Sequence, residues 1–84
     1  MSWAVVIQRP AKKELARLSP EMRLRLGQAM RGLQTEPYPS GCKRLRGRDE
    51  FRIRVGDYRI LYTVDSANHV VTVAAIGHRG EIYR

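Results

Sequence analysis

The sequence predicts an α+β fold in which an N-terminal strand and two helices precede three antiparallel strands that form a sheet packed on the helices. Apolar residues recur at helical spacing between residues 10 and 33. From residue 50 onward apolar residues occupy every second position, which is the period of a β-strand. A Gly-Asp pair at residues 56 and 57 separates two such alternating runs, as the turn of a tight hairpin would.

The first two elements are a strand and a short helix. Residues 3–8, WAVVIQ, are rich in β-branched and aromatic side chains and predict the opening strand. Pro10 suits the first turn of a helix, because the amide hydrogen that proline lacks has no partner there. Ala11, Leu15 and Leu18 then fall on one helical face at positions i, i+4 and i+7. A short amphipathic helix therefore follows the strand.

The second helix is predicted to begin after Ser19. Serine is a favoured N-cap, Pro20 suits the first helical position, and Glu21 places negative charge at the positive end of the helix dipole. The helix must end before Pro37, because the residue that precedes a proline is pushed out of the α region. The apolar stripe expected to face the sheet consists of Met22, Leu26, Ala29, Met30 and Leu33.

The stretch FRIRVGDYRILY, residues 51–62, predicts a β-hairpin with an unusual charge pattern. Glycine at the first turn position suits a two-residue type II′ turn, and such a turn fixes the register of its strands. One face is then a core and the other carries Arg52, Arg54 and Arg59. Like charges directly opposite each other are destabilising, so folding alone does not explain this arrangement. The predicted cross-strand pairs are Val55 with Tyr58, Arg54 with Arg59, Ile53 with Ile60, Arg52 with Leu61 and Phe51 with Tyr62.

A last strand is predicted from Val70 to Ile76. It is apolar on both faces, as an interior strand would be, and the turn DSAN before it makes it antiparallel to the preceding strand. The chain then ends in IGHRGEIYR, from which Arg79 and Tyr83 could reach the arginine-bearing face. A tail residue that packs on the sheet is an equally good interpretation of Tyr83.

Composition indicates a polyanionic partner. Sixteen basic residues against eight acidic ones give a formal net charge of +8, and thirteen of the sixteen are arginines. Arginine matches phosphate oxygens in a two-pronged geometry and stacks on bases. The basic residues are concentrated between residues 43 and 59, where they are Lys43, Arg44, Arg46, Arg48, Arg52, Arg54 and Arg59.

The sequence lacks the patterns of a membrane protein, a secreted protein and a metal or cofactor site. No apolar run approaches the about 18 residues of a membrane helix, and the N-terminus lacks the pattern of a signal peptide. We therefore expect a cytoplasmic protein that has no membrane partner. Cys42 is the single cysteine, which excludes an internal disulfide. No metal-ligand spacing, phosphate-binding glycine loop or carboxylate pair occurs, so no metal or other cofactor is expected.

The order of these elements, with KRLRG before the sheet, the YRILY strand and the closing IGHRGEIY, resembles the RelE branch of the RelE/ParE superfamily of bacterial toxins. The resemblance extends over nearly the whole chain and implies a single toxin domain over residues 1–84. It further implies a ribosome-dependent endoribonuclease that cuts messenger RNA in the A site and so inhibits translation. An acidic RelB-like antitoxin would be its protein partner.

The same resemblance implies the site residues. Arg52, Arg54 and Arg59 would stabilise the phosphorane formed when a ribose 2′-hydroxyl attacks the neighbouring phosphate, and Arg79 would face the leaving group. Tyr83 would accept the proton or stack on a base. RelE proteins often carry lysines where this chain has Arg52 and Arg54, and arginine is a poor general base. His78 is therefore an alternative base, although an inert, partly exposed histidine is the better interpretation of it. The residues expected to bind RNA or the ribosome are Lys43, Arg44, Arg46 and Arg48.

Two other functions stay open at this point. A ParE-like toxin would share the fold but block DNA gyrase by protein contact, and the tail HRGEIY argues against this alternative. A non-enzymatic module that binds RNA or DNA would need only the net positive charge and an arginine-bearing face.

Overall fold

The computed structural model describes residues 2–45 and 50–78 of the 84-residue chain. Within these residues, two helices cover one face of a five-stranded sheet, so the predicted α+β class is confirmed. In chain order the described elements are β1 (Ala4–Ile7), α1 (Arg9–Ala16), α2 (Pro20–Gly32), β2 (Lys43–Arg44), β3 (Glu50–Val55), β4 (Tyr58–Asp65) and β5 (Val70–His78).

The sheet has the strand order β1-β5-β4-β3-β2. Its centre is the predicted antiparallel series β3, β4 and β5. The opening strand β1 joins the sheet at one edge, where it pairs parallel to β5. At the other edge β2 pairs antiparallel to β3. The sequence did not predict β2, because two residues are too few to show an alternating period.

The β3–β4 hairpin has the predicted register. Gly56 has a φ of +61°, and among the described non-glycine residues only His69 has a positive φ. A positive φ at the first turn residue and not at Asp57 is the pattern of a type II′ turn. All five predicted pairs are present, namely Val55–Tyr58, Arg54–Arg59, Ile53–Ile60, Arg52–Leu61 and Phe51–Tyr62.

Strand β5 is two residues longer than predicted and contains a bulge. Leu61 pairs with Ala75 but Tyr62 pairs with Val73, so Ala74 is the extra residue on β5. A bulge of this kind increases the local twist of the sheet. Beyond it the ladder continues to the end of β5 at His78.

Helix α2 begins and packs as predicted, whereas α1 ends at Ala16, so that Leu18, predicted on its apolar face, lies beyond the helix. Ser19 is the N-cap of α2, and its hydroxyl accepts a hydrogen bond of 3.2 Å from the amide of Met22. Along α2 and just beyond it, Leu26, Met30 and Leu33 are buried against the sheet. None of the helices in the described part of the chain is long and apolar enough to cross a membrane.

Tyr62 joins the core to the loop after α2. It is fully buried, and its hydroxyl donates a hydrogen bond of 2.8 Å to the carbonyl oxygen of Pro37. Its ring stacks on Phe51 at a centroid distance of 5.8 Å, and Tyr38 meets Phe51 edge-on at 5.1 Å. Burial, reinforced by the neighbouring Cys42 thiol, raises the pKa of the Tyr62 hydroxyl well above its ordinary value. The hydroxyl therefore remains a donor at all ordinary pH values.

We expect Tyr62→Phe to lower the free energy of unfolding by about 1–3 kcal/mol, because the buried Pro37 carbonyl loses its donor. Urea denaturation measures the change. Tyr38→Phe is the control, since Tyr38 is exposed, and its effect should stay within about 0.5 kcal/mol. Equal effects of the two substitutions would contradict the role given to the hydrogen bond.

The difference in stability between the wild type and Tyr62→Phe should depend on pH. The pKa of Tyr62 in the unfolded state is about 10, and folding raises this pKa. Below a pH of about 10 the hydroxyl is protonated in both states, and its contribution to stability is complete. At higher pH the unfolded state loses this proton before the folded state does, and the contribution declines. The stability advantage of the wild type over Tyr62→Phe should therefore be constant up to about pH 10 and shrink above it.

Candidate functional site

The strand register gathers four cations on the sheet face that the described helices leave uncovered. Arg54 lies opposite Arg59, and Lys43 lies opposite Arg52. Directly opposed residues share a face, and so do residues two apart on one strand. We call Lys43, Arg52, Arg54 and Arg59 the basic face. Glu50 lies on the same side, two residues before Arg52, at the far end of β3.

The arginines of the basic face lie at two depths. Arg52 and Arg59 are each only 8% exposed and their Nε atoms are buried, whereas Arg54 is exposed. Arg52 and Arg59 also interact with other groups of the chain. Burying a charge is costly unless the charge is paired and hydrogen-bonded, and such interactions also restrict the side chain. The buried pair is therefore fixed in position, and Arg54 is the arginine that a ligand reaches first.

A small polar pocket lies at the hairpin end of the basic face. It has a volume of about 160 Å³ and is lined by Arg54, Gly56, Asp57, Tyr58 and Arg59. This volume is well below the roughly 300–1,000 Å³ of a pocket for a whole small molecule. Two guanidinium groups and one carboxylate leave a net positive lining. The pocket therefore suits a small anionic group such as a phosphate.

Two of the predicted basic or catalytic candidates lie on the helix-covered side of the sheet. Arg44 pairs with Phe51, so it points away from its neighbour Lys43. His78 pairs with Tyr58, and the two rings meet edge-on at a centroid distance of 5.3 Å and an angle of 90°. The candidates outside the described residues are Arg46, Arg48, Arg79 and Tyr83.

Arg25 of α2 is a residue near the site that the sequence analysis did not single out. A β-carbon built on Gly56 would lie 3.5 Å from Nη1 and 3.6 Å from Nη2 of Arg25. The guanidinium group therefore lies in van der Waals range of the hairpin turn. An exposed helical arginine gives no signal of such a contact in the sequence, because it depends on how the helix packs on the sheet.

The described part of the chain has no group of three or more His, Cys, Asp or Glu side chains placed to hold a metal ion. Positive charge at the site comes from guanidinium and ammonium groups. Such groups can bind an anion and stabilise charge that develops on it.

Comparisons with known proteins agree on one family. A family model described as the ParE toxin of the type II toxin-antitoxin system parDE matches residues 5–83. The chain is 30% identical over 88 residues to the putative toxin RelE1 of Methanocaldococcus jannaschii, a match that covers 100% of this chain and 98% of that protein. It is 32% identical over 87 residues to toxin RelG of Mycobacterium tuberculosis, covering 100% of this chain and 99% of that protein.

A solved structure shows the same fold. A chain of the archaeal RelE-RelB complex from Pyrococcus horikoshii OT3 matches with a TM-score of 0.87 and 29% sequence identity. The match covers 96% of this chain and 99% of that chain. The whole of the described architecture is therefore shared with a protein of a toxin-antitoxin complex.

We expect Arg54→Gln to raise the free energy of unfolding by about 0.2–1 kcal/mol, because it removes the repulsion between Arg54 and Arg59. The gain should shrink as salt is added, since salt screens charges at the surface. Thermal or urea denaturation at low and high salt measures both effects.

The matched control is Arg31→Gln. Arg31 is an exposed arginine in the last turn of α2, so its substitution removes the same charge without touching a cross-strand pair. A loss of stability in Arg54→Gln at low salt would show that the pair is not a site of repulsion.

Proposed function

Because the chain belongs to the ParE toxin family of type II toxin-antitoxin systems and is a RelE-type toxin, we propose that it is an endoribonuclease that cuts messenger RNA on the ribosome. The observation that carries the proposal is the direct opposition of Arg54 and Arg59 beside a phosphate-sized pocket. This arrangement costs stability, and a ligand rich in negative charge accounts for it.

The nucleophile of the proposed reaction belongs to the RNA itself. The 2′-oxygen of a ribose attacks the adjacent phosphorus, and the bond from phosphorus to the 5′-oxygen of the next nucleotide breaks. The products are a 2′,3′-cyclic phosphate and a free 5′-hydroxyl. The intermediate phosphorane carries more negative charge than the starting phosphodiester. Positive groups that are already in place stabilise it without reorganisation.

The basic face supplies such groups at two levels. Arg59 is fixed by burial, and Arg54 is exposed at the rim of the same pocket. We propose that both contact the non-bridging oxygens of the scissile phosphate. Arg52 lies two residues before Arg54 on β3 and is buried, so it adds positive charge beneath the surface. Lys43, which lies opposite Arg52, adds a positive group at the edge strand β2.

The two proton transfers are assigned by family resemblance. We propose that Tyr83 accepts the proton of the 2′-hydroxyl or stacks on a base. Arg79 would face the departing 5′-oxygen and neutralise its developing negative charge, while water supplies the proton that makes it a hydroxyl. His78 is less suited to act as the base, because its register places it on the sheet face opposite Arg54 and Arg59.

The proposed protein partner is an acidic, RelB-like antitoxin. The support is the net charge of +8 and the match to a chain of a RelE-RelB complex. An acidic segment laid over the basic face would neutralise its charge and block the pocket at the same time. Ribosomal RNA is a second polyanion that the proposal requires. Lys43 and Arg44 are both exposed and lie on opposite sides of β2, so we propose that Lys43 contacts it from the basic face.

Inhibition of DNA gyrase is a second candidate, because the matching family model carries the ParE name. A toxin that acts by protein contact gives no reason for Arg54 to lie opposite Arg59. A supercoiling assay with purified gyrase separates the two candidates. The proposal predicts no inhibition of gyrase by this protein.

We expect Arg54→Gln to lower the rate of messenger RNA cleavage on programmed ribosomes by about 10²–10³. The loss follows from removing one stabiliser of the phosphorane, in a variant that should be at least as stable as the wild type. Arg31→Gln should cut at the wild-type rate. Undiminished cleavage by Arg54→Gln would remove Arg54 from the catalytic role.

The nucleophile can be tested on the substrate. A message with a single deoxyribose at the cut site should not be cut there, because it lacks the attacking hydroxyl. The all-ribose message should yield a 2′,3′-cyclic phosphate end, which mass spectrometry identifies. A product from the deoxyribose message would exclude the proposed mechanism.

A further inference from the structure

The hairpin end carries a second set of side chains on the face opposite the phosphate-sized pocket. Arg25 reaches it from α2 and lies against Gly56. Arg25 is exposed, and its guanidinium group forms no ion pair with the residues that the structure describes. The turn therefore has Arg54 and Arg59 on one side and a further arginine on the other.

Two aromatic rings lie on this same side of the sheet. Tyr58 follows the turn directly and is half-buried, and His78 is its exposed partner at the end of β5. The edge-on contact at 5.3 Å orients the imidazole ring against the tyrosine. The result is an exposed planar ring whose position is fixed by the sheet. Tyr58 also lines the pocket of Arg54 and Arg59, so the two sides of the hairpin end meet at this residue.

We propose that this side of the hairpin end is a second nucleotide subsite, in which Arg25 binds a backbone phosphate and His78, held by Tyr58, stacks on a base. The inference rests on the proposed function and extends it. It identifies the binding place of a nucleotide that neighbours the one being cut. The RNA strand then passes around the end of the hairpin, from the basic face to the side of Arg25.

The chemistry of the set favours single-stranded RNA as the occupant. A positive group that follows the backbone, combined with an aromatic ring on which a base stacks, is how proteins hold single strands. An acidic protein segment would use Arg25 but would gain little from an exposed imidazole ring. The two side chains together therefore discriminate between the occupants.

The test measures binding separately from cleavage. The probe is a single-stranded RNA oligonucleotide with all its 2′-hydroxyls methylated, so that 2′-hydroxyl attack cannot cut it. Fluorescence anisotropy follows its binding over a series of salt concentrations. For Arg25→Gln, the slope of the logarithm of the binding constant against the logarithm of salt should become shallower by about 0.7, the value for one phosphate contact to a single strand.

The two remaining variants complete the test. Arg31→Gln, which removes the same charge about 9 Å along the axis of α2, should keep the wild-type slope. His78→Ala should weaken binding about 5–150-fold at every salt concentration, with the slope unchanged, because a stacked base and not a charge contact is lost.

An unchanged slope in Arg25→Gln, or unchanged affinity in His78→Ala, overturns the subsite. So does failure of the wild type to bind the probe. Cleavage is measured separately, with the wild type and an unmethylated message, so none of these binding results decides whether the protein cuts RNA. If the wild type cuts and the Arg25→Gln slope is unchanged, the proposed function stands and the subsite is wrong.

Discussion

The turn at Gly56 and Asp57 is the constraint on which the site depends. The turn has only two residues, and the first of them has a positive φ. Such a turn allows one register for β3 and β4, and that register puts Arg54 directly beside Arg59. The chain cannot relieve the repulsion by sliding one strand past the other. A slip of one residue would turn the whole apolar face of the hairpin, which holds Ile53 and Ile60, toward solvent. Burial on one side thus enforces crowding of charge on the other.

The rest of the fold makes this arrangement rigid. Helix α2 packs its buried Leu26 and Met30 against the sheet, and Tyr62 links β4 to the loop that leads into β2. Strand β2 in turn places Lys43 beside Arg52. Electrostatic stabilisation of a reacting phosphate is effective when the positive groups are in place before the reaction. The core therefore contributes to the proposed chemistry by holding the guanidinium groups close together, against their mutual repulsion.

Local chemistry determined what could be predicted from the sequence. The N-cap of α2, the type II′ turn and the hairpin register follow from a few neighbouring residues, and the structure confirms them. The bulge at Ala74, the burial of Arg52 and Arg59 and the approach of Arg25 to the turn were not predicted. Each of these depends on contacts between elements far apart in the sequence. The spacing of arginines at every second position shows that they lie on the same face of the sheet, but it does not show how far each side chain is buried.

The central claim is that Arg54 and Arg59 are held together in order to bind one phosphate. The most direct measurement is a crystal structure of the protein bound to an RNA that carries deoxyribose at the cut site. The account predicts that the uncut phosphate lies in the pocket at the hairpin end, within hydrogen-bonding distance of both guanidinium groups. A complex in which the two arginines contact different phosphates, or in which the RNA lies away from this pocket, would contradict it.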